Sequence, residues 1–184
     1  MVSMGTVKTL LTFEEFEQLP DQPGKQELVR GELFELPPAD LKHNRISHRI
    51  YKRLDAAIEQ AHTRGEAHEL GEAFHEMGYL LPGECWLAPD VSVTHAGQTE
   101  GKYLEGAPAI AIEVISPSNT AKRIDAKAEL YFQFGAREVW RFFPKKKQVA
   151  IQVPGSIRVI AEDSVITTPL LPGLALPVKE LFGD

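Results

Sequence analysis

Four side chains in this sequence have the type and setting for chemistry: Glu27, Asp90, Glu113 and Lys127. Glu113 sits inside IAIEVI, a near-continuous apolar run of the kind buried on both faces of a sheet. Asp90 follows Ala88-Pro89 and opens DVSV, where the proline marks the start of a strand rather than its middle. Lys127 lies in a helical stretch predicted over residues 120–134. On a 3.6-residue wheel it shares a face with Ile124, Ala128, Tyr131 and Phe134, while Lys122, Asp125 and Glu129 share the opposite one. Lys127 therefore points inward. Glu27 alternates with Val29 and Leu33 in QELVRGELFEL, so it either lines the inner face of its strand or stands as a rim charge.

A buried lysine or carboxylate is costly unless paired. Packing the 120–134 helix on the strand before it brings Lys127 near Glu113, which by itself reads as a structural ion pair with the lysine stem covering apolar surface. Asp90 adds a second reading. Two carboxylates close together raise each other's pKa unless a cation lies between them, and hard oxygen ligands suit Mg²⁺ or Mn²⁺. A lysine beside such an ion can position water and stabilise charge on a phosphate. The 23 positions from Asp90 to Glu113 fit two adjacent strands joined by a loop.

The elements that must hold these residues follow from patterning. Thr12–Leu19 reads as a short helix, with Thr12 as N-cap and Glu15 at its capping-box position. Residues 26–36 read as one alternating strand ended by Pro37-Pro38. Residues 41–64 form the longest helical pattern, with Ile46, Ile50, Leu54, Ala57 and Ala61 on one face and Gly65 as its stop. Strands are predicted at 67–70, 77–81, 90–94, 109–115, 137–143, 148–153 and 156–160, and the Pro-rich tail is expected to pack across the surface. This order predicts an α/β (α+β) fold built on one mixed central β-sheet flanked by helices, in a single domain spanning residues 1–184.

Composition narrows the function. A net charge of −6, from 20 basic and 26 acidic residues, argues against a general nucleic-acid coat but not against one local basic face. No apolar run has membrane-spanning length, and the N-terminus lacks a signal-peptide pattern, so a cytoplasmic protein is expected. Cys85 is the only cysteine, which excludes an internal disulfide or a thiolate zinc site; it reads as a small buried hydrophobe, with a reactive thiol as the other reading. No glycine-rich phosphate loop, HExxH or GxSxG is present.

The pieces TFEEFEQLP, QELVRGELFEL, LAPDVSV, AIEVISPSNT and DAKAELYFQFGAREVWRFFP together resemble the PD-(D/E)xK nuclease superfamily, and more narrowly the bacterial Uma family of restriction endonucleases. The resemblance covers most of the chain from Thr12 to Pro144. It implies a restriction-endonuclease-like fold and hydrolysis of a nucleic-acid phosphodiester, DNA by expectation, with Mg²⁺ (or Mn²⁺) on Asp90 and Glu113. It makes Glu27 a further acidic member of the site. The superfamily pattern places lysine two residues after the acidic residue, where this chain has Ile115. The role then passes to Lys127 on the next helix, with Lys122 as second choice. A homodimer is expected from the need to cut two strands.

Other polar features have plainer readings. Lys42, Arg45, Arg49 and Lys52 form a stripe on the long helix that is either a solvated face or a track for a phosphate backbone. His43 and His48 read as surface or substrate-facing residues, Lys145–Lys147 as a solvated turn, and Trp86, Tyr131 and Trp140 as packing residues. The competing functional class is a non-catalytic binding or accessory module in which Glu113 and Lys127 are only an ion pair.

Overall fold

The computed structural model describes residues 10–66, 69–116 and 120–183. Helix α1 (Phe13–Glu17) is shorter than expected but begins as predicted: Thr12 Oγ1 accepts from the Glu15 amide, and the Glu15 carboxylate reaches back to the Thr12 amide. The single strand expected over 26–36 is instead a hairpin, β1 (Lys25–Val29) and β2 (Glu32–Leu36). Arg30 and Gly31, at φ 51° and 80°, make a two-residue turn between them. Two consecutive left-handed residues match the twist of the flanking strands, so the alternation runs on through the turn and hides it.

Helix α2 (Leu41–Arg64) has the expected bounds. Asp40 Oδ1 accepts from the His43 amide at 2.8 Å, and Gly65 closes the helix in the left-handed conformation that favours glycine. Then come β3 (Leu70–His75), β4 (Tyr79–Leu81), β5 (Cys85–Leu87), β6 (Val91–His95), β7 (Leu104–Glu105) and β8 (Ile110–Val114). Positions 67 and 68 of the strand expected at 67–70 lie outside the described residues. Helix α3 (Ala121–Gln133) follows, then β9 (Glu138–Phe143), β10 (Gln148–Val153), β11 (Ser156–Ile160), β12 (Val165–Ile166), β13 (Leu176–Pro177) and α4 (Val178–Phe182).

Where one central sheet was expected, the described strands form two large sheets and a small pair. The five-stranded sheet runs β2-β1-β5-β4-β7 and the six-stranded sheet β11-β10-β9-β8-β6-β3. Both are mixed, since β4 with β7 and β8 with β9 are parallel pairs. The chain crosses from one sheet to the other at Ala88-Pro89-Asp90, between β5 and β6. That crossing becomes the floor of the site.

The six-stranded sheet has two different faces. Ile110, Ile112, Val114, Val91 and Val93 join the apolar face of α2 (Ile46, Ile50, Leu54, Ile58) in one core. Ala111 faces the other way, toward Ala128, Leu130 and Tyr131 of α3 and Tyr79 and Leu87 of the smaller sheet. By the same alternation, Glu113 belongs to the α3 side. The tail departs from expectation: Leu171, Leu174, Leu176, Val178, Leu181 and Phe182 are buried in the α2 core.

Candidate active site

Strand register assembles the carboxylates. Strands β6 and β8 are antiparallel with Val91 opposite Ile112, so one step further places Asp90 opposite Glu113. Asp90 Oδ2 accepts from the Val114 amide at 2.7 Å, which ties the two strand ends together. Lys25 Nζ donates to Asp90 Oδ1 and to the Ala88 carbonyl, both at 2.8 Å. His43 Nε2, from the first turn of α2, lies 3.3 Å from Asp90 Oδ2.

Glu27 is fully buried where β1 runs beside β5. Its Oε1 accepts from the Ala88 amide at 3.3 Å and from Lys127 Nζ at 2.8 Å, and its Oε2 from the Arg123 guanidinium at 2.9 Å. Lys127 Nζ also reaches Glu113 Oε1 at 2.6 Å, an oxygen that accepts from the Tyr131 hydroxyl at 3.0 Å. Arg123 and Lys127 are one helical turn apart on α3, so the helix presents both cations to the same carboxylates. The Arg123 guanidinium also stacks over the Phe34 ring, 4.6 Å from its centre. Glu27, Asp90, Glu113, Lys25, His43, Arg123 and Lys127 line one open cavity of about 630 Å³.

The ionisation states follow from burial and partners. Burial opposes the charge on Asp90, but Lys25 and His43 outweigh it and hold its pKa well below the ordinary aspartate value. Glu27 behaves alike: burial is overcome by Lys127, Lys25 and Arg123, and its pKa is lowered. Glu113 goes the other way. Burial raises its pKa, Lys127 offsets only part of that, and Asp90 adds to the rise. Burial disfavours the charged forms of Lys127 and Lys25, yet the carboxylates around them raise both pKa values, so both stay protonated. His43 is also raised, the bond and charge of Asp90 overcoming burial. Two carboxylates held ionised beside one held closer to neutrality give the site groups of unlike proton affinity.

The structure thus brings Glu27, Asp90, Glu113 and Lys127 together, and leaves Lys42, Arg45, Arg49 and Lys52 outside the cavity lining. Arg49 donates to the Leu181 and Phe182 carbonyls at 3.5 and 3.1 Å, at the end of α4; Lys42, Arg45 and Lys52 are exposed on the helix surface. Lys122 faces solvent and is absent from the lining. Sequence reasoning missed Lys25, Arg123 and, as a contact of Asp90, His43. Signals for all three existed. Lys25 is two residues from Glu27 on one strand, Arg123 four residues from Lys127 on one helix, and His43 three residues before Ile46 on the buried stripe of α2. Cys85 is buried, and burial raises its thiol pKa.

Mixed sheets flanked by helices, with acidic residues gathered where two strand ends meet, define a restriction-endonuclease-like α+β fold. A family model described as "Putative restriction endonuclease", Uma2, matches residues 13–179, and the chain belongs to that family. A crystal structure from Anabaena variabilis, described as a "putative nuclease belonging to DUF820", superposes with a TM-score of 0.78. It is 21% identical, and the match covers 94% of this chain and 97% of that one, a likeness of fold. No protein of curated function matches the chain. Among the described residues, no helix is long and apolar enough to cross a membrane.

Proposed function

We propose that this protein is a Mg²⁺- or Mn²⁺-dependent endonuclease acting on DNA phosphodiester bonds. The observation that carries the reading is that Asp90, Glu113 and Lys127 line one open cavity of about 630 Å³, with Lys127 paired to Glu113. Among the described residues no group of three or more His, Cys, Asp or Glu side chains is arranged to hold an ion alone. Magnesium asks for less: one or two carboxylates, with water and a substrate phosphate completing the shell. The hard oxygens of Asp90 and Glu113 fit that requirement and would hold the ion. When bound, it would polarise the phosphate and lower the pKa of a coordinated water.

The chain's own residues do the rest. Lys127, protonated and held between Glu113 and Glu27, acts as a donor that orients water and neutralises charge, not as a base. Both Glu27 oxygens are engaged by Lys127, Arg123 and the Ala88 amide, so Glu27 positions those cations instead of ligating directly. Arg123 presents a planar guanidinium to the cavity, suited to a phosphate. A homodimer would supply two such sites for the two strands of a duplex, and a cytoplasmic setting would give access to DNA.

The test is nicking of supercoiled plasmid in Mg²⁺ or Mn²⁺ by wild type, Asp90→Asn and Lys127→Ala. Wild type is expected to cut and both variants to lose at least about a hundredfold in rate, the scale of one electrostatic or acid–base group. Equal cutting by all three would assign the activity elsewhere. One observation favours a second reading, a nucleic-acid-binding module without catalysis. Lys25, Lys127 and Arg123 already neutralise Asp90, Glu113 and Glu27 within the protein. Retention of DNA by the wild type with no metal-dependent cutting would select it.

A further inference from the structure

We propose that Lys25 is a resident counter-ion occupying the cation position at Asp90, and that a divalent ion binds by displacing it. The inference rests on the metal-dependent reading above and concerns how the ion enters. Lys25 Nζ sits 2.8 Å from Asp90 Oδ1 and from the Ala88 carbonyl, the same kinds of hard oxygen a magnesium ion takes. The other Asp90 oxygen is held by the Val114 amide and His43, so Oδ1 is the oxygen an incoming ion would use.

Of the two lysines in the cluster, Lys25 is the one built to leave. Lys127 is gripped by two carboxylates and its side chain is 9% exposed, whereas Lys25 holds one carboxylate and one carbonyl and is 20% exposed. Lys25 also lines the cavity, so its ammonium has open volume to move into. Charge balance gives the same answer. With Lys25 and His43 already at Asp90, a divalent ion added without displacement would stand beside an ammonium in a confined space, a repulsive arrangement. Exchange of Lys25 for the ion removes that contact and leaves each carboxylate with a cationic partner. Lys25 thereby gives Asp90 a cationic partner until the metal arrives.

The test is calorimetric titration of Mn²⁺ into wild type, Lys25→Met and Lys25→Gln, together with thermal unfolding in metal-free buffer and at saturating Mn²⁺. Lys25→Gln removes the charge and keeps a hydrogen-bond donor, on a side chain one bond shorter, so it serves if the methionine variant does not fold. The neutral variants are expected to bind Mn²⁺ at least about tenfold more tightly, equivalent to about 1.4 kcal/mol. They are also expected to melt below wild type without metal, with Mn²⁺ closing the gap. Unchanged or weaker Mn²⁺ binding by the variants, with wild type still binding, overturns the displacement and leaves the metal site standing. Absence of Mn²⁺ binding in all three overturns the metal-dependent reading, and the displacement with it.

Discussion

Replacing Lys127 by methionine tests the architecture of the site apart from its activity. The ammonium lies 2.6 Å from a Glu113 oxygen and 2.8 Å from a Glu27 oxygen. At an effective dielectric near 20 each contact supplies roughly 6 kcal/mol of gross attraction, most of it cancelled by the desolvation of the charges. Methionine removes the attraction and leaves the carboxylates buried. Glu27 still has Arg123 and the Ala88 amide, and Glu113 can take up a proton, so the net cost falls at the lower end for a broken buried pair, about 3 kcal/mol. In a chain of this length that lowers the melting temperature by about 6–12 °C.

The pH dependence sharpens the expectation. The raised pKa of Lys127 means its contribution is full below the ordinary lysine value and is lost only as pH rises through the raised one. The lowered pKa of Glu27 means its contribution is full above the ordinary glutamate value and is lost as pH falls through the lowered one. Between those limits the wild type keeps the interaction. In Lys127→Met the pKa of Glu113, already raised, rises further, so protonation relieves the penalty toward acid. Thermal unfolding in chelator should therefore show a larger deficit near pH 9 than near pH 6. A loss under about 1 kcal/mol at both, or one independent of pH, would refute the assignment of Lys127 as the cation binding these two carboxylates.

Arg49→Ala should lower stability by about 1–2 kcal/mol in urea unfolding by freeing the carbonyls at the end of α4, and should leave DNA affinity unchanged; a reduced salt slope of DNA binding would instead give Arg49 a phosphate-contacting role. Gly78→Ala would place a Cβ 1.9 Å from the Trp86 ring. That overpacking is expected to cost about 1–3 kcal/mol and to alter tryptophan fluorescence, and unchanged stability with an unchanged spectrum would count against this packing of Trp86.

What was legible in the sequence was whatever a local period encodes. Helix α2 has the predicted bounds because an apolar stripe, a capping aspartate and a stop glycine agree. The wheel over α3 placed Lys127 inward because Ala128 and Tyr131 flank it on the buried face. The hairpin at Arg30-Gly31 escaped because a two-residue turn preserves strict alternation, and with it went the division into two sheets. The tail was misplaced because its prolines dominate the pattern, although its leucines reach the core. Lys25 and His43 stand at element ends: local spacing places each on its inner face, but their shared partner Asp90 comes from a distant segment that no local period reports.

The internal charge balance of the cluster bears on how fast the protein can meet a polyanion. Each carboxylate of the cluster is paired with Lys25, Lys127 or Arg123, so the unloaded cavity projects little field beyond a Debye length of about 8 Å. The chain around it carries −6, which repels a phosphate backbone at long range. Encounter with nucleic acid is then unassisted by long-range attraction. On the proposed metal-dependent reading, a divalent ion would make the cavity locally cationic, so it would hold a phosphate already within a Debye length while the chain as a whole stays acidic.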